Sequence, residues 1–245
     1  MKLLLFLDYD GTLTPIAKRP KLARLSPPRK IFLRKLAHNP RIKMAIISGR
    51  KLSDIKRLVN IPQLIYVGNH GFEIEVNGNY KIHPAARRFI PTLKRIKSKL
   101  INKITVKGAW IEDKSLTLSV HYREVARGRL KLFYQLFYKA INPWEKKIKI
   151  TKGKKIFEIR PPFDWDKGKA VKWIINKLHL KNYFPIYIGD DQTDEDAFRA
   201  LKGKGLPAGQ AGISIFVGKT KRTSADYSLK NVSAVYRFLQ ILGAL

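Results

Sequence analysis

Residues 1–12 read MKLLLFLDYDGT, and this stretch decides the fold. Leu3 to Leu7 is an apolar run that reads as a buried strand. It is shorter than the apolar region of a signal peptide, and no small-residue cleavage site follows it. The run ends on Asp8 and Asp10. In an extended chain these two residues face the same side. Gly11 and Thr12 then allow a tight turn whose backbone amides can meet an anion. In parallel α/β sheets, ligands bind beyond the carboxyl ends of the strands, which is where this pair falls. An ordinary Asx-stabilised turn is the alternative for so short a motif.

Beyond this strand the pattern alternates. A helix is expected from about Arg29 to Ala37, a strand over 42–47 (IKMAII), a helix near Leu52 to Val59 and a strand over 64–67. Residues 72–82 alternate and carry Asn77-Gly78, a hairpin signal. The middle of the chain differs. It reads as a basic amphipathic helix over 85–102, strands over 104–111 and 115–122, a helix over 127–141, and a strand pair within 146–160 around Lys152-Gly153-Lys154. The alternation then resumes with helix 168–178, strand 185–189, helix 194–201, strand 213–217 and a last helix near 231–242. The expected fold class is therefore α/β: a parallel-sheet core over 1–84 and 161–245, with a smaller α-β-β-α-β-β domain inserted at 85–160.

A second acidic cluster strengthens the reading of the first. The strand PIYIG (185–189) runs into GDDQTDED, with Asp190, Asp191, Asp194, Glu195 and Asp196. The two clusters hold two and five of the chain's 18 acidic residues. A helix N-terminus accounts for Glu195 and Asp196 but not for Asp190 and Asp191 at a strand end. Carboxylates gathered this way need a cation, and magnesium, a hard ion that takes carboxylates, carbonyls and phosphate oxygens, is the natural one. Ser48-Gly49-Arg50 ends the second strand and can offer a hydroxyl and amides to a phosphoryl oxygen. Lys167 in WDKG precedes a helix and can neutralise phosphate charge.

Composition sets outer limits. The 245 residues carry 50 Lys and Arg against 18 Asp and Glu, a net charge of +32, and no cysteine. Disulfides, thiolate metal sites and cysteine catalysis are excluded. No stretch approaches bilayer-spanning length, so a cytoplasmic protein without a membrane is expected. The charge attracts anions generally, but there is no zinc-finger spacing or aromatic-glycine RNA-binding signature, and no nucleic-acid partner is expected. A solvated basic surface is the simpler reading, with a dedicated nucleic-acid role as the other.

DYDGT, SGR, DKG and GDDQTDED, in this order, resemble the four motifs of haloacid dehalogenase (HAD) phosphatases. LDYDGTLTPI, AIISGR, YVGNHGFEI, IEDKSLTLSVHYR, EIRPPFDWDKGKAV and YIGDDQTDEDAF look more closely like trehalose-6-phosphate phosphatases, over most of the chain. The resemblance implies a Rossmann-like core with a mobile cap, acting as a monomer on a sugar phosphate. It implies Asp8 as nucleophile, Asp10 as general acid/base, and Ser48 and Lys167 on the phosphoryl oxygens. Mg2+ would lie between the Asp8 carboxylate, the Asp10 carbonyl and Asp190, with Asp191 and Asp194 as ligands through water or as orienting groups. Glu112, Arg123, Lys154 and Glu158 of the cap would bind the sugar, together with Arg50 and Asn69. His70 would either touch substrate or order its loop. Ser115 stands where the family pattern leads one to expect glycine, and the excess of basic residues goes beyond what the family requires, read either as docking to an acidic synthase or as lineage composition.

Overall fold

The run Leu3–Leu7 lies at the centre of a sheet, buried on both sides. A computed structural model of the chain describes residues 1–17, 19–202, 206, 211–219 and 222–244. Its elements begin with β1 (Lys2–Leu7), α1 (Pro27–Ala37), β2 (Ile42–Ile47), α2 (Leu52–Val59), β3 (Ile65–Gly68), β4 (Glu73–Val76) and β5 (Asn79–Ile82). Then come α3 (Pro84–Lys103), β6 (Trp110–Asp113), β7 (Leu118–His121), α4 (Leu130–Ile141), β8 (Lys149–Gly153) and β9 (Ile156–Arg160). The last are α5 (Lys167–Lys177), β10 (Tyr183–Gly189), α6 (Glu195–Lys202), β11 (Ile213–Val217), β12 (Tyr227–Leu229) and α7 (Val232–Ala244). The chain divides into two compact units, Met1–Lys81 with Trp165–Leu245, and Ile82–Asp164.

In the first unit the strand order is β12-β11-β10-β1-β2-β3-β4-β5. Strands β12 to β3 are parallel, and β4 runs antiparallel to β3. Strand β1 pairs with β2 on one side and β10 on the other. The strand order therefore reverses at the carboxyl end of β1, the place where such sheets bind ligands. The period of two divides the core cleanly. Leu3, Leu5 and Leu7 join Leu33 and Leu36 of α1 and Val235 and Leu239 of α7. Leu4 and Phe6 join Val171 and Ile174 of α5 and Phe198 of α6. Apolar residues on both faces leave polar chemistry to the strand ends.

The second unit is a four-stranded antiparallel sheet, β6-β7-β9-β8. Leu93, Ile96 and Leu100 of α3 and Phe133 and Phe137 of α4 cover one face, against Leu118, Val120, Phe157 and Ile159. The Phe137 and Phe157 rings stack with centroids 4.3 Å apart. The other face is polar, with Glu112, Ser119, Glu158 and Thr151 in one row across the four strands.

Three details differ from the sequence reading. The strand expected over 104–111 is a strand only over Trp110–Asp113. Gly108, at φ 91, turns the chain just before it, where a side chain would run into the Glu124 carbonyl. Helix α1 starts at Pro27 rather than Arg29, because proline at the first helical position supplies the needed φ and lacks an N–H that would otherwise go unused. Strand β12 was not expected; three residues are too few to display a period. Ser115 adopts φ 70, the left-handed conformation that favours glycine, and its N–H donates to Asp113 Oδ1 at 2.8 Å. Among the described residues no helix is long and apolar enough to cross a membrane.

Truncating Phe157 empties the middle of the second unit's core. Phe157→Ala is expected to lower unfolding free energy by about 3–5 kcal/mol, read by urea denaturation. A loss below about 1 kcal/mol would mean that this aromatic stack does not hold the unit together.

Candidate active site

The site begins where β1 ends. Asp8 donates its N–H to Ile188 O of β10 at 2.9 Å, so its backbone still belongs to the sheet while its side chain lies beyond it. Gly11 follows at φ 93, with its N–H donating to Thr14 O at 2.7 Å. A Cβ at Gly11 would collide with the Asp190 carboxylate, and one at Gly189 would collide with the Asp194 side chain. Glycine at these two positions lets carboxylates from the β10 end close on the β1 turn.

Lys167 binds this arrangement together. It opens α5, whose N-cap Asp166 accepts from Lys169 N at 2.8 Å. Its Nζ donates to Asp8 Oδ1 and to Asp194 Oδ1, both at 2.8 Å. Tyr187 Oη donates to the same Asp194 oxygen at 2.6 Å. The amides of Asp190 and Asp191 donate to Asp194 Oδ2 at 3.1 Å each. Asp194 is fully buried, and its two oxygens accept four bonds, which is about what a carboxylate can take. It braces the loop and the lysine. Asp191 Oδ1 accepts from the Thr193 N–H and hydroxyl, both at 2.7 Å, and so shapes the turn.

Burial pushes the Asp8 carboxyl well above the usual carboxylate range; Lys167 opposes this, and Asp194, Asp190 and Asp191 add to it. Burial also raises Asp194, against the pull of Lys167. For Lys167 burial disfavours the charge, but Asp194 and Asp8 outweigh it and hold the ammonium well above its ordinary pKa. Asp191 is lowered: burial works against its charge, while Lys167 and the Thr193 donors overcome that. The local balance is an excess of negative charge out of water, which a hard divalent cation would relieve. Oxygens of Asp8, Asp190 and Asp194 lie within 4.8 Å of one another; those of Asp194 already accept four bonds, so Asp8 and Asp190 are the carboxylates that fit such an ion. The carboxylates of Asp10 and Asp191 are not in that group.

The β2 end supplies the opposite wall. Ser48 is buried, and its Oγ accepts from Arg50 N at 3.2 Å. Asn69, His70 and Gly71 follow β3 with φ of 48, 57 and 106, three left-handed residues in a row. This turn is pinned by Asn69 N donating to Arg50 O at 2.7 Å and His70 N to Ser48 O at 3.0 Å. It brings the His70 ring against Gly49, where a Cβ would fall 2.6 Å from Nε2. Asn69 Nδ2 donates to buried Glu73 at 2.5 Å, and Glu73 also accepts from Leu52 N and Tyr80 Oη. Arg50 turns to Asp10: Nε donates to Oδ2 and a terminal NH2 to Oδ1, both at 2.6 Å.

Glu112, Arg123, Lys154 and Glu158 lie in the second unit. Glu112 accepts from His121 Nε2 at 2.8 Å, and that ring stacks on Trp110 at 3.8 Å. Burial raises the Glu112 carboxyl, but the His121 bond and Lys114 lower it further, below its usual value. Glu158 is buried and accepts from Lys114 Nζ with both oxygens at 3.1 Å, from Thr117 Oγ1 at 2.7 Å, and from Ser119 Oγ. Arg123 donates to Lys154 O at 2.9 Å.

The structure thus brings Asp8, Asp190, Asp194 and Lys167 into direct contact or near it, and ties Ser48, Arg50, Asn69 and His70 into one loop pair. Tyr187, Glu73, Lys114 and His121 touch predicted residues and escaped the sequence reading. A signal existed for Tyr187: a hydroxyl in a fully buried strand must find a partner.

The trehalose-phosphatase family model matches residues 6–233. The chain is 37% identical to probable trehalose-phosphate phosphatase D of Arabidopsis thaliana, over 98% of this chain and 67% of that one. It spans about two thirds of the length of such curated relatives. The C-terminal domain of C. albicans trehalose-6-phosphate phosphatase is similar in structure, with TM-score 0.84 and 26% identity, covering 100% of this chain and 92% of that one. A haloacid dehalogenase-like hydrolase from Bacteroides thetaiotaomicron shares the fold, with TM-score 0.67 and 14% identity over 99% and 100%.

The charge balance yields a stability prediction. Asp8, Lys167 and Asp194 together carry one uncompensated negative charge. A carboxyl whose pKa is higher folded than unfolded binds protons more readily when folded. Its ionisation therefore removes stability as pH rises above the unfolded value. Asp8→Asn is expected to raise the melting temperature in EDTA at neutral pH by a few degrees, read by calorimetry. A lower melting temperature would contradict this balance.

Proposed function

The chain belongs to the trehalose-phosphatase family, and from that premise we propose that it hydrolyses trehalose 6-phosphate to trehalose and phosphate through a phosphoryl group carried on Asp8. The observation that carries the reading is Lys167 Nζ, 2.8 Å from both Asp8 and Asp194 at the point where the strand order reverses. An ammonium there holds the nucleophile still and faces the incoming phosphate.

Asp8 attacks phosphorus in line, and the bond from phosphorus to the sugar oxygen breaks. Asp10 gives that oxygen a proton as it leaves. Asp10 then takes a proton from water as the water attacks phosphorus, the Asp8–phosphorus bond breaks, and inorganic phosphate departs. Lys167 and Ser48 donate to the phosphoryl oxygens, whose charge is best stabilised by groups already in place. Asp8, Asp190 and the Asp10 carbonyl would hold Mg2+, which when bound offsets repulsion between carboxylate and phosphate. Asp194, with its acceptors occupied, orients Lys167 and the 190–191 backbone. Asp191 shapes its turn.

Sugar recognition falls to the second unit in this reading. Glu112 accepts from sugar hydroxyls, while Arg123 and Lys154 donate to sugar oxygens; Glu158, with four bonds already accepted, serves the sugar through the Lys114 it holds in place. The His121 bond and Lys114 hold the Glu112 carboxyl below its usual range, against its burial, and His121 aims it. Asn69 and His70 support the substrate-facing loop. The reading calls for a monomer acting on a sugar phosphate, and for neither nucleic acid nor a membrane.

Phosphate release from trehalose 6-phosphate, glucose 6-phosphate and sucrose 6-phosphate, each with magnesium or EDTA, tests the activity. Release from trehalose 6-phosphate is expected to exceed the others by at least about tenfold and to stop in EDTA. Preference for another sugar phosphate would overturn the substrate, and EDTA-insensitive release would overturn the metal. Glu112→Ala is expected to raise KM for trehalose 6-phosphate roughly tenfold while leaving an aryl phosphate unchanged. Equal losses on both would remove Glu112 from sugar recognition.

A further inference from the structure

The sequence reading placed Arg50 with the substrate-binding residues, yet its guanidinium is committed to Asp10. Nε and a terminal nitrogen cover both Asp10 oxygens at 2.6 Å in a side-by-side fork. Such planar two-bond pairing fixes orientation as well as distance.

The two partners are held very differently. The same Arg50 terminal nitrogen also donates to Pro20 O at 2.8 Å. The guanidinium lies over the Tyr9 ring, 5.4 Å from its centroid, and Tyr9 is itself pinned through its hydroxyl to Ala23 O at 3.0 Å. The Arg50 backbone is bonded at both ends, its N–H to Ser48 Oγ and its carbonyl from Asn69 N. The Arg50 side chain is 10% exposed and that of Asp10 37%. Arg50 is therefore the fixed member and Asp10 the one with room to turn. The fork takes one lone pair of each Asp10 oxygen and turns both oxygens toward Arg50; with one bond kept and one released, the freed oxygen can turn to a leaving oxygen from a defined direction.

We propose that Arg50 is the positioning residue for Asp10: it parks the carboxylate on a two-bond fork and, when substrate arrives, releases one oxygen while holding the other. This rests on the reading of Asp10 as the acid/base. The fork links the β1 and β2 ends, 40 residues apart in sequence, so the carboxylate that moves protons is aimed from the strand that also supplies Ser48. A residue that acts only through Asp10 should matter for turnover and not for substrate affinity.

A double-mutant cycle on kcat and KM for trehalose 6-phosphate with magnesium tests this, using Arg50→Gln, Asp10→Asn and the pair. Arg50→Gln is expected to lower kcat roughly tenfold to hundredfold, the scale of a misplaced catalytic group, with KM changed less than about threefold. In the Asp10→Asn background the same change should cost less than about twofold, because the group being aimed is gone. Arg50→Lys, which keeps the charge and loses the fork, should recover only part of kcat. Calorimetry on each variant confirms that it is folded. A loss of equal size in both backgrounds overturns the proposal. So does a raised KM at unchanged kcat, which would return Arg50 to substrate binding. Full activity in Asp10→Asn alone would overturn the acid/base reading itself, and the proposal with it.

Discussion

Burying an ammonium between two carboxylates is the constraint around which the first unit is arranged. Lys167, Asp8 and Asp194 are all withdrawn from water, and each ion costs several kcal/mol to desolvate. Removing Lys167 from this set would leave two buried carboxylates uncompensated, a loss of the kind that costs about 3–5 kcal/mol. The surroundings supply the remaining bonds: Tyr187 and two loop amides complete Asp194, and the α5 N-terminus presents Lys167. Even so, Asp8 is left with more negative charge nearby than one lysine offsets. A bound cation would relieve that imbalance, which is stability given up for chemistry.

The backbone makes this crowding possible. Gly11 and Gly189 stand where any side chain would strike the Asp190 or Asp194 carboxylate. The left-handed run Asn69-His70-Gly71 bonds back to Ser48 and Arg50, so the β2 and β3 ends act as one piece. Two non-glycine residues in that conformation are strained, and strain of this kind survives where the surroundings over-determine it. Here buried Glu73 does so, gathering Asn69, the α2 N-terminus and Tyr80.

The parallel-rich α/β sheet was legible because its strands are apolar throughout and its helices periodic. The strand-end motifs were legible because acidic residues are scarce enough for a cluster to stand out. Contacts between distant residues were not. Strand period placed Tyr187 inside, but not its hydroxyl on a carboxylate seven positions on. Nothing local in SGR tells that Arg50 turns to Asp10 rather than outward. Lys114 and His121 lie inside a quoted segment, but their pairing with Glu158 and Glu112 depends on strand register, which the sequence leaves open. Ser115 departs from the glycine of the family pattern, and its φ of 70 shows that the turn keeps the left-handed conformation with a serine in it.

The central claim is that the buried carboxylate facing Lys167 becomes phosphorylated during turnover. The direct measurement is to quench the enzyme with acid during steady-state hydrolysis of trehalose 6-phosphate, reduce with borohydride, and sequence the peptide containing Asp8 by mass spectrometry. The account predicts homoserine at position 8, formed by reduction of an acyl phosphate, with Asp10, Asp190 and Asp194 unchanged. Reduction at another carboxylate, or none while phosphate is being released and dephosphorylation limits the rate, would contradict it.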